Sequence, residues 1–312
     1  MRVTLCDFDG LMPNLALMRL STFHKQRGDT VELWRGMLTP RLFGNPDRIC
    51  VSCIFRWNRQ RALNMQYHWD RELLYGGTGI DPLICLPAEV EECMPDYVLY
   101  PNHGYAIGFI SRGCIRKCPW CVVPQKEGNI RREATAQEIV GEYRKAVFLD
   151  NNFLALPDRE KDLEWLASNQ ITVDFNQGLD ARLVDRDVAI LLARCKWEPA
   201  IRLALDSLGM IIPTTRAIEQ LLLSDIPASK IRVYVLIGFA GIESDIERLL
   251  VIHNLGIAPF PMGFRDLETG EEPARGWDRT LYRKYRRLIT RVPMASSVWD
   301  SFAREVVSHA TL

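Results

Sequence analysis

The chain has 312 residues, more than one hydrophobic core usually holds, so a large domain with a smaller companion is the expected organisation. Lys+Arg and Asp+Glu both number 39, which excludes a global basic footprint for nucleic acid, and 47% hydrophobic with 25% charged residues excludes a disordered or membrane composition. No apolar run reaches a membrane span, residues 1–7 lack the apolar core of a signal peptide, and nine cysteines then read as reduced thiols in a cytoplasmic protein rather than as disulfides.

Residues 3–6 read as a short buried strand, followed by the loop 7–13 and a helix over 14–26. Leu15, Met18 and Phe23 supply its apolar stripe, Asn14 its N-cap and Gly28 its stop. Residues 31–33 and 49–55 are further strand candidates. Strand, helix and strand in close succession form a βαβ unit, which predicts a small doubly wound α/β domain over 1–100. The run Tyr75-Gly-Gly-Thr-Gly79 lacks the Lys-Ser/Thr of a phosphate loop and reads as a tight turn.

From Tyr105 the chain alternates regularly. Strands are expected at 106–110, 146–150, 171–176, 200–206, 231–238 and 257–262. Helices are expected near 135–144, 158–168, 185–194, 213–223 and 244–255, with a last one at 278–290; Asp158 and Pro213 stand at helix starts. Such units imply parallel strands with right-handed crossovers, closing into most of a TIM-like barrel over 101–265, with a helical segment over 266–312.

Strand parity puts Thr172, Asp174 and Asn176 on one face, and Arg202, Ala204 and Asp206 on one face. If the apolar faces pack on helices, these polar faces line a small-molecule cavity; the alternative is a solvated sheet face. Asp174, Asn176, Gln177 and Asp180 are the substrate-contacting candidates. Sites in barrels collect where strands end, here at Asp150-Asn-Asn152, Asn176-Gln177, Asp206-Ser207 and Ile237-Gly238.

The densest chemistry lies in Ser111-Arg-Gly-Cys114-Ile-Arg-Lys-Cys118-Pro-Trp-Cys121, with three thiols at the spacing Cys-x3-Cys-x2-Cys. Iron-sulfur cubanes take thiolate ligands, usually four, so a loop offering three leaves one iron open to a non-protein ligand. A zinc site completed by Cys93, His103 or His68 is the alternative, although zinc motifs commonly pair two distant Cys-x2–4-Cys units and no second pair exists. The same spacing with an aromatic residue, Trp120, before the last cysteine resembles the radical S-adenosylmethionine (SAM) enzymes. That resemblance implies an oxygen-sensitive [4Fe-4S] cluster on Cys114, Cys118 and Cys121 that cleaves SAM reductively to a 5'-deoxyadenosyl radical, with flavodoxin or ferredoxin as electron donor. It also implies a partial (βα)6 barrel. Carried over by position, Asp150, Asn151 and Asn152 meet the SAM amino group, Asp206 and Ser207 the ribose, and Ile237 and Gly238 the adenine, while Arg202 faces the carboxylate. Here Asp-Asn-Asn stands where the family commonly has Gly-Gly-Glu, and Glu243 follows Gly238 by five residues instead of three.

The N-terminal domain resembles the flavodoxin-like, cobalamin-binding domain that precedes many radical SAM cores, in a degenerate form: the loop after the first strand contains no histidine, so cobalamin ligation through one is not expected. Asp7-Phe-Asp9-Gly10 also resembles the haloacid-dehalogenase signature, with Leu11 where that family has Thr. Arg279 to Arg291 interleaves arginines with Tyr282 and Tyr285; this admits a nucleic acid or anionic substrate, but a solvated helix is the favoured reading. Two competing functions stand beside the first. One is a tRNA methylthiotransferase-like enzyme with a second cluster on Cys6, Cys50 and Cys85; the other is a non-catalytic iron-sulfur or zinc protein.

Overall fold

In β1 (Arg2–Asp7) every residue after Arg2 is buried, so both faces of the strand are covered, as a central parallel strand requires. In the computed structural model, which describes residues 1–39, 45–267, 269–272, 275–278, 280 and 282–283, β1 lies between β2 (Thr30–Arg35) and β3 (Arg48–Ser52). With β4 (Leu74–Gly76) they form a parallel sheet in the order β2-β1-β3-β4. The intervening helix α1 (Leu15–Gln26) starts as its sequence predicts: Asn14 accepts from the Leu17 N–H at 3.2 Å, and its amide donates to Ser52 Oγ at 2.8 Å.

The C-terminal edge of this sheet is closed by two carboxylates. Asp7 is buried and accepts from the Gly10 N–H at 3.0 Å and the Tyr100 hydroxyl at 2.9 Å. Asp9 accepts from the Ile54 N–H at 2.7 Å, the Phe55 N–H at 3.1 Å and the Asn58 amide at 3.0 Å. Both carboxylates act as loop fasteners. The glycine run after β4 is a tight turn: a Cβ at Gly77 would lie 2.3 Å from the Cys53 carbonyl oxygen, and Gly77 sits at φ +94°.

Two compact units divide the chain. Of the described residues, those within 1–104 and 267–271 form the first, and those within 105–266 and from 272 on form the second. The first break therefore falls at Gly104, slightly beyond the expected residue 100. The arginine-rich helix expected at 278–290 lies almost wholly outside the described residues, although Tyr282 is a buried core residue stacked edge-on against Trp277 at 5.8 Å.

The second unit is α/β with parallel strands laid down in chain order. β5 (Ala106–Gly108), β8 (Lys145–Phe148), β9 (Thr172–Phe175) and β10 (Lys196–Trp197) form one sheet; β11 (Ile201–Leu205), β12 (Ile231–Ile237) and β13 (Ala258–Gly263) form another. Every pairing in both is parallel. A parallel bridge between Leu179 and Leu203 connects the exit of β9 to β11. A short antiparallel pair, β6 (Ser111–Arg112) with β7 (Arg131–Arg132), stands apart.

Amphipathic helices return the chain between strands: α2 (Ala136–Val140), α3 (Arg159–Ser168), α4 (Arg186–Arg194), α5 (Ile211–Leu223) and α6 (Ile242–Asn254). Thr135 and Glu138 form a capping box on α2, and Asp185 caps α4 through the Val188 N–H at 2.9 Å. Pro213 falls in the first turn of α5, where its missing N–H costs nothing. Asp158 precedes α3 without capping it, because its carboxylate is taken by Arg132 at 2.6 Å.

Strand parity holds. Val173, Phe175, Leu203, Leu205, Val233 and Val235 are buried in one apolar core, whereas Thr172, Asp174, Ala204 and Tyr234 alternate with them in half-buried positions. Among the described residues no helix is long and apolar enough to cross a membrane.

Candidate functional site: a three-cysteine loop at the strand ends

The three thiols sit on a loop tied shut at its base. The β6–β7 pair brings residues 111–112 beside 131–132, and the Cys114 N–H donates to the Gly128 carbonyl at 3.1 Å. Gly113, at φ +78°, cannot be replaced there, since a Cβ would lie 2.2 Å from the Asn129 carbonyl oxygen. Glu127, which has no periodic signal in the sequence, is the second fastener. It accepts from the Gly113 N–H at 3.0 Å, the Arg112 guanidinium at 3.1 Å and the Asn151 amide at 2.7 Å. Arg112 also covers the ring of Phe109 at 3.7 Å. Within the loop the Cys121 N–H donates to the Cys118 carbonyl at 3.1 Å, and a helical turn follows at Val123–Lys126.

Burial pushes the Cys118 and Cys121 thiols up, and the neighbouring thiols and Asp206 push them further. Among the described residues no three His, Cys, Asp or Glu side chains converge closely enough to hold a single metal ion. Cys93, His68 and His103 belong to the first unit, the three thiols to the second.

The strand-end residues divide into fasteners and open groups. Asp150 is saturated: it accepts from the Ile110 N–H at 3.0 Å and from the Ser111 N–H and hydroxyl, both at 2.6 Å. Burial raises its carboxyl to about 6 despite these bonds. Asn151 donates its amide nitrogen to Glu127 at 2.7 Å. Asn152 is 3% exposed; its amide nitrogen donates to Cys114 Sγ and Asp180 Oδ2, both at 3.3 Å, and its Oδ1 is buried without a hydrogen-bond partner. Both partners of the nitrogen are acceptors, so the amide cannot turn over without opposing its oxygen to them.

Asp180 gathers charge beside Cys114. It accepts from Arg116 Nε at 3.0 Å and Arg182 Nε at 2.6 Å, and these two guanidinium groups hold its carboxyl below the usual range against the effect of burial. The Arg116 N–H donates to Cys114 Sγ at 3.3 Å. Asp180 is thus a fastener of the thiol loop, and Arg116 and Arg182 are functional neighbours that strand parity does not reveal. Gln177 is exposed at the turn after β9, and Asn176 donates its backbone N–H to the Phe148 carbonyl at 3.0 Å.

On β11, Arg202 forms an ion pair with Asp174 and lies near the ring of Tyr234, 5.9 Å away; its Nε has no hydrogen-bond partner. Burial lowers its pKa. Asp206 is pushed up to about 6 by burial, opposed by Arg248, the Leu236 backbone, Arg182 and a hydrogen bond from Trp120. Trp120 packs edge-on against Phe239 at 5.4 Å, and Phe239 against Phe264 at 4.9 Å. The Cys loop therefore meets the β11 and β12 ends through Trp120. Ser207 begins the turn after β11, where its carbonyl accepts from the Met210 N–H at 3.0 Å. Ile237 is buried, and Gly238, at φ +85°, donates its N–H to Asp245 at 2.6 Å.

A buried polar clamp backs these ends. Asp245 also accepts from Trp277 Nε1 at 2.8 Å, while Arg248 donates to the Leu205 carbonyl at 3.0 Å. The signal for it was present: in α6, Asp245 falls on the same stripe as Ile242, Ile246, Leu249 and Ile252, where a charge is out of place. No protein-family model matches the chain, and no curated protein matches it.

Proposed function

We propose that the second unit is a radical SAM core, in which Cys114, Cys118 and Cys121 hold a [4Fe-4S] cluster and the chain-order parallel strands form a partial (βα)6 barrel. The observation that carries this reading is the tethered three-thiol loop at the C-terminal edge of the first strand of the set, with the unpartnered acceptor Asn152 Oδ1 beside Cys114. A single zinc ion with sulfur ligands at about 2.3 Å needs donors converging on one point, whereas a cluster places each thiolate on a different iron. The residues fit the group: the buried amide oxygen, left unsatisfied at a cost of about 1–3 kcal/mol, suits an N–H of the SAM amino group.

When bound, the cluster and SAM supply one-electron reductive cleavage to a 5'-deoxyadenosyl radical for hydrogen abstraction from a small-molecule or nucleoside-type substrate. The chain's own residues hold and orient. Asn152, whose buried oxygen has no partner, rather than the saturated Asp150, receives the amino group. Asp206 accepts the ribose hydroxyls beside Ser207. Ile237 and Gly238 offer the adenine a packing surface only, since the Gly238 N–H and carbonyl are engaged by Asp245 and by the Arg275 N–H at 3.1 Å. Arg202 offers its unpartnered Nε to a carboxylate, its pairing with Asp174 being the structural role of the same side chain.

A flavodoxin-like first unit is supported by the strand order β2-β1-β3-β4. Histidine ligation of cobalamin is not part of the proposal, since His24 is buried on Asp29 at 2.7 Å and the β1 loop carries none. Nor is a dehalogenase-type nucleophile at Asp7, which is buried and fully hydrogen-bonded. The methylthiotransferase reading loses support from the sheet register: Cys6 pairs with Val51 and Cys50 with Leu5, so the two thiols face opposite sides of the sheet. A reducing cytoplasm and an acidic one-electron donor complete the proposal.

The test is anaerobic reconstitution. Wild type and Cys195→Ala, whose thiol is packed between the Leu163 and Leu191 carbonyls, are expected to bind about four irons and four sulfides per chain and to cleave SAM. Cys114→Ala, Cys118→Ala and Cys121→Ala are expected to lose the cluster absorbance. A full four-iron cluster in Cys118→Ala, or zinc in its place, overturns the reading.

A further inference from the structure

Asn152 stands between two kinds of chemistry. Its nitrogen is spent on one thiol and one carboxylate, Cys114 Sγ and Asp180 Oδ2, each at 3.3 Å, while its oxygen is buried with no partner. Cys114 receives a further donor, the Arg116 N–H at 3.3 Å, and Arg182 lies near enough for its charge and those of Cys114 and Cys118 to act on one another. Hydrogen bonds to a cluster's sulfur ligands stabilise the more negative, reduced form and raise the potential at which it accepts an electron.

We infer that Asn152 is a positioning residue that couples ligand capture to cluster reduction: its amide hydrogen tunes Cys114 while its oxygen accepts from the amino group of the bound ligand. This rests on the cluster reading above. One planar amide carries both contacts, so an N–H donor drawn to Oδ1 polarises the amide and strengthens its N–H donation to the sulfur. Asp180 holds the nitrogen side in place, so the amide cannot rotate to serve either partner alone. The consequence is a cluster that becomes easier to reduce when the ligand is seated.

The experiment uses the reconstituted full chain and reads the reduced cluster by electron paramagnetic resonance during a redox titration, with S-adenosylhomocysteine, which has the same amino-acid end and no sulfonium bond to cleave, as the probe. Asn152→Leu keeps the volume and removes both contacts. It is expected to retain about four irons and four sulfides per chain, to show a more negative midpoint than wild type, and to show a smaller change in midpoint on adding the probe. A second measurement serves if this variant fails to load. Wild type grown with side-chain 15N-asparagine is expected to show a 15N hyperfine coupling on the reduced cluster, which backbone donation from Arg116 does not produce. An unmoved midpoint in loaded Asn152→Leu, or no 15N coupling in wild type, overturns the inference while leaving the cluster intact. Absence of the cluster from wild type overturns the reading beneath it.

Discussion

The guanidinium of Arg248 donates to the carboxylate of Asp245 at 2.5 Å with both side chains fully buried, and through them the last residue of β11 is tied to the first residue beyond β12. Removing one partner leaves an uncompensated buried charge, which costs about 3–5 kcal/mol. Arg248→Met is therefore expected to lower stability by about that amount in urea or thermal unfolding of the apoprotein. Asp245→Leu is expected to lower it too, and to change the fluorescence of Trp277, whose indole loses its acceptor.

Asp150 gives the protein a pH signature. Its carboxyl is raised from 3.8 to about 6, so the folded state holds a proton that the unfolded state has released. The sign follows: the contribution is fully present below pH 3.8 and is lost as pH rises through about 6, roughly 3 kcal/mol in all. Asp150→Asn is less stable than wild type throughout because the Asn nitrogen opposes one N–H donor. The difference between the two is expected to narrow from pH 4 to pH 6.5 in parallel urea titrations, and a constant difference would sink the assignment.

Gly113→Ala tests the loop. The new Cβ meets the Asn129 carbonyl and the positive φ disfavours any side chain, so the base of the loop must open. Iron and sulfide per chain are expected to fall several-fold, with hydrogen exchange of the amides at 114–121 accelerated. Gly128→Ala, where a Cβ meets nothing within 4 Å but φ is also positive, is expected to have the milder effect.

Arg202 and Asp174 form the remaining pair to separate. Arg202→Met, Asp174→Leu and the double variant make a cycle with an expected coupling of about 1–3 kcal/mol in unfolding free energy. If Arg202 Nε also serves the SAM carboxylate, Arg202→Met weakens SAM binding more than Asp174→Leu does. Equal affinities in the two variants assign Arg202 to the fold alone.

Much of the frame was legible because periodicity reports burial. The alternation in Ile201–Leu205 and Ile231–Ile237, and the stripes of α4 and α6, each follow from one apolar face meeting one core. The Cys spacing and Trp120 were legible because they are local. The fasteners were not, because a residue such as Glu127 or Asp180 acts across the chain and leaves no period. The role carried to Asp150 fell on a side chain already saturated by the loop, while Asn151 holds Glu127 through its nitrogen and Asn152 keeps a buried oxygen without a partner. Nothing in Asp-Asn-Asn distinguishes the three until the Ser111 and Glu127 contacts are seen.

In open parallel sheets a ligand settles at the carboxyl ends of strands, where the strand order reverses. In the first unit that reversal lies between β1 and β3, and its two outward backbone donors, the Ile54 and Phe55 N–H groups, already hold the carboxylate of Asp9. The chain therefore closes this end of the sheet with a side chain of its own, and the loop after β3 is held to the loop after β1 through that one residue. Asp9→Ala would unfasten both loops at once, leaving the Ile54 and Phe55 N–H groups without that acceptor.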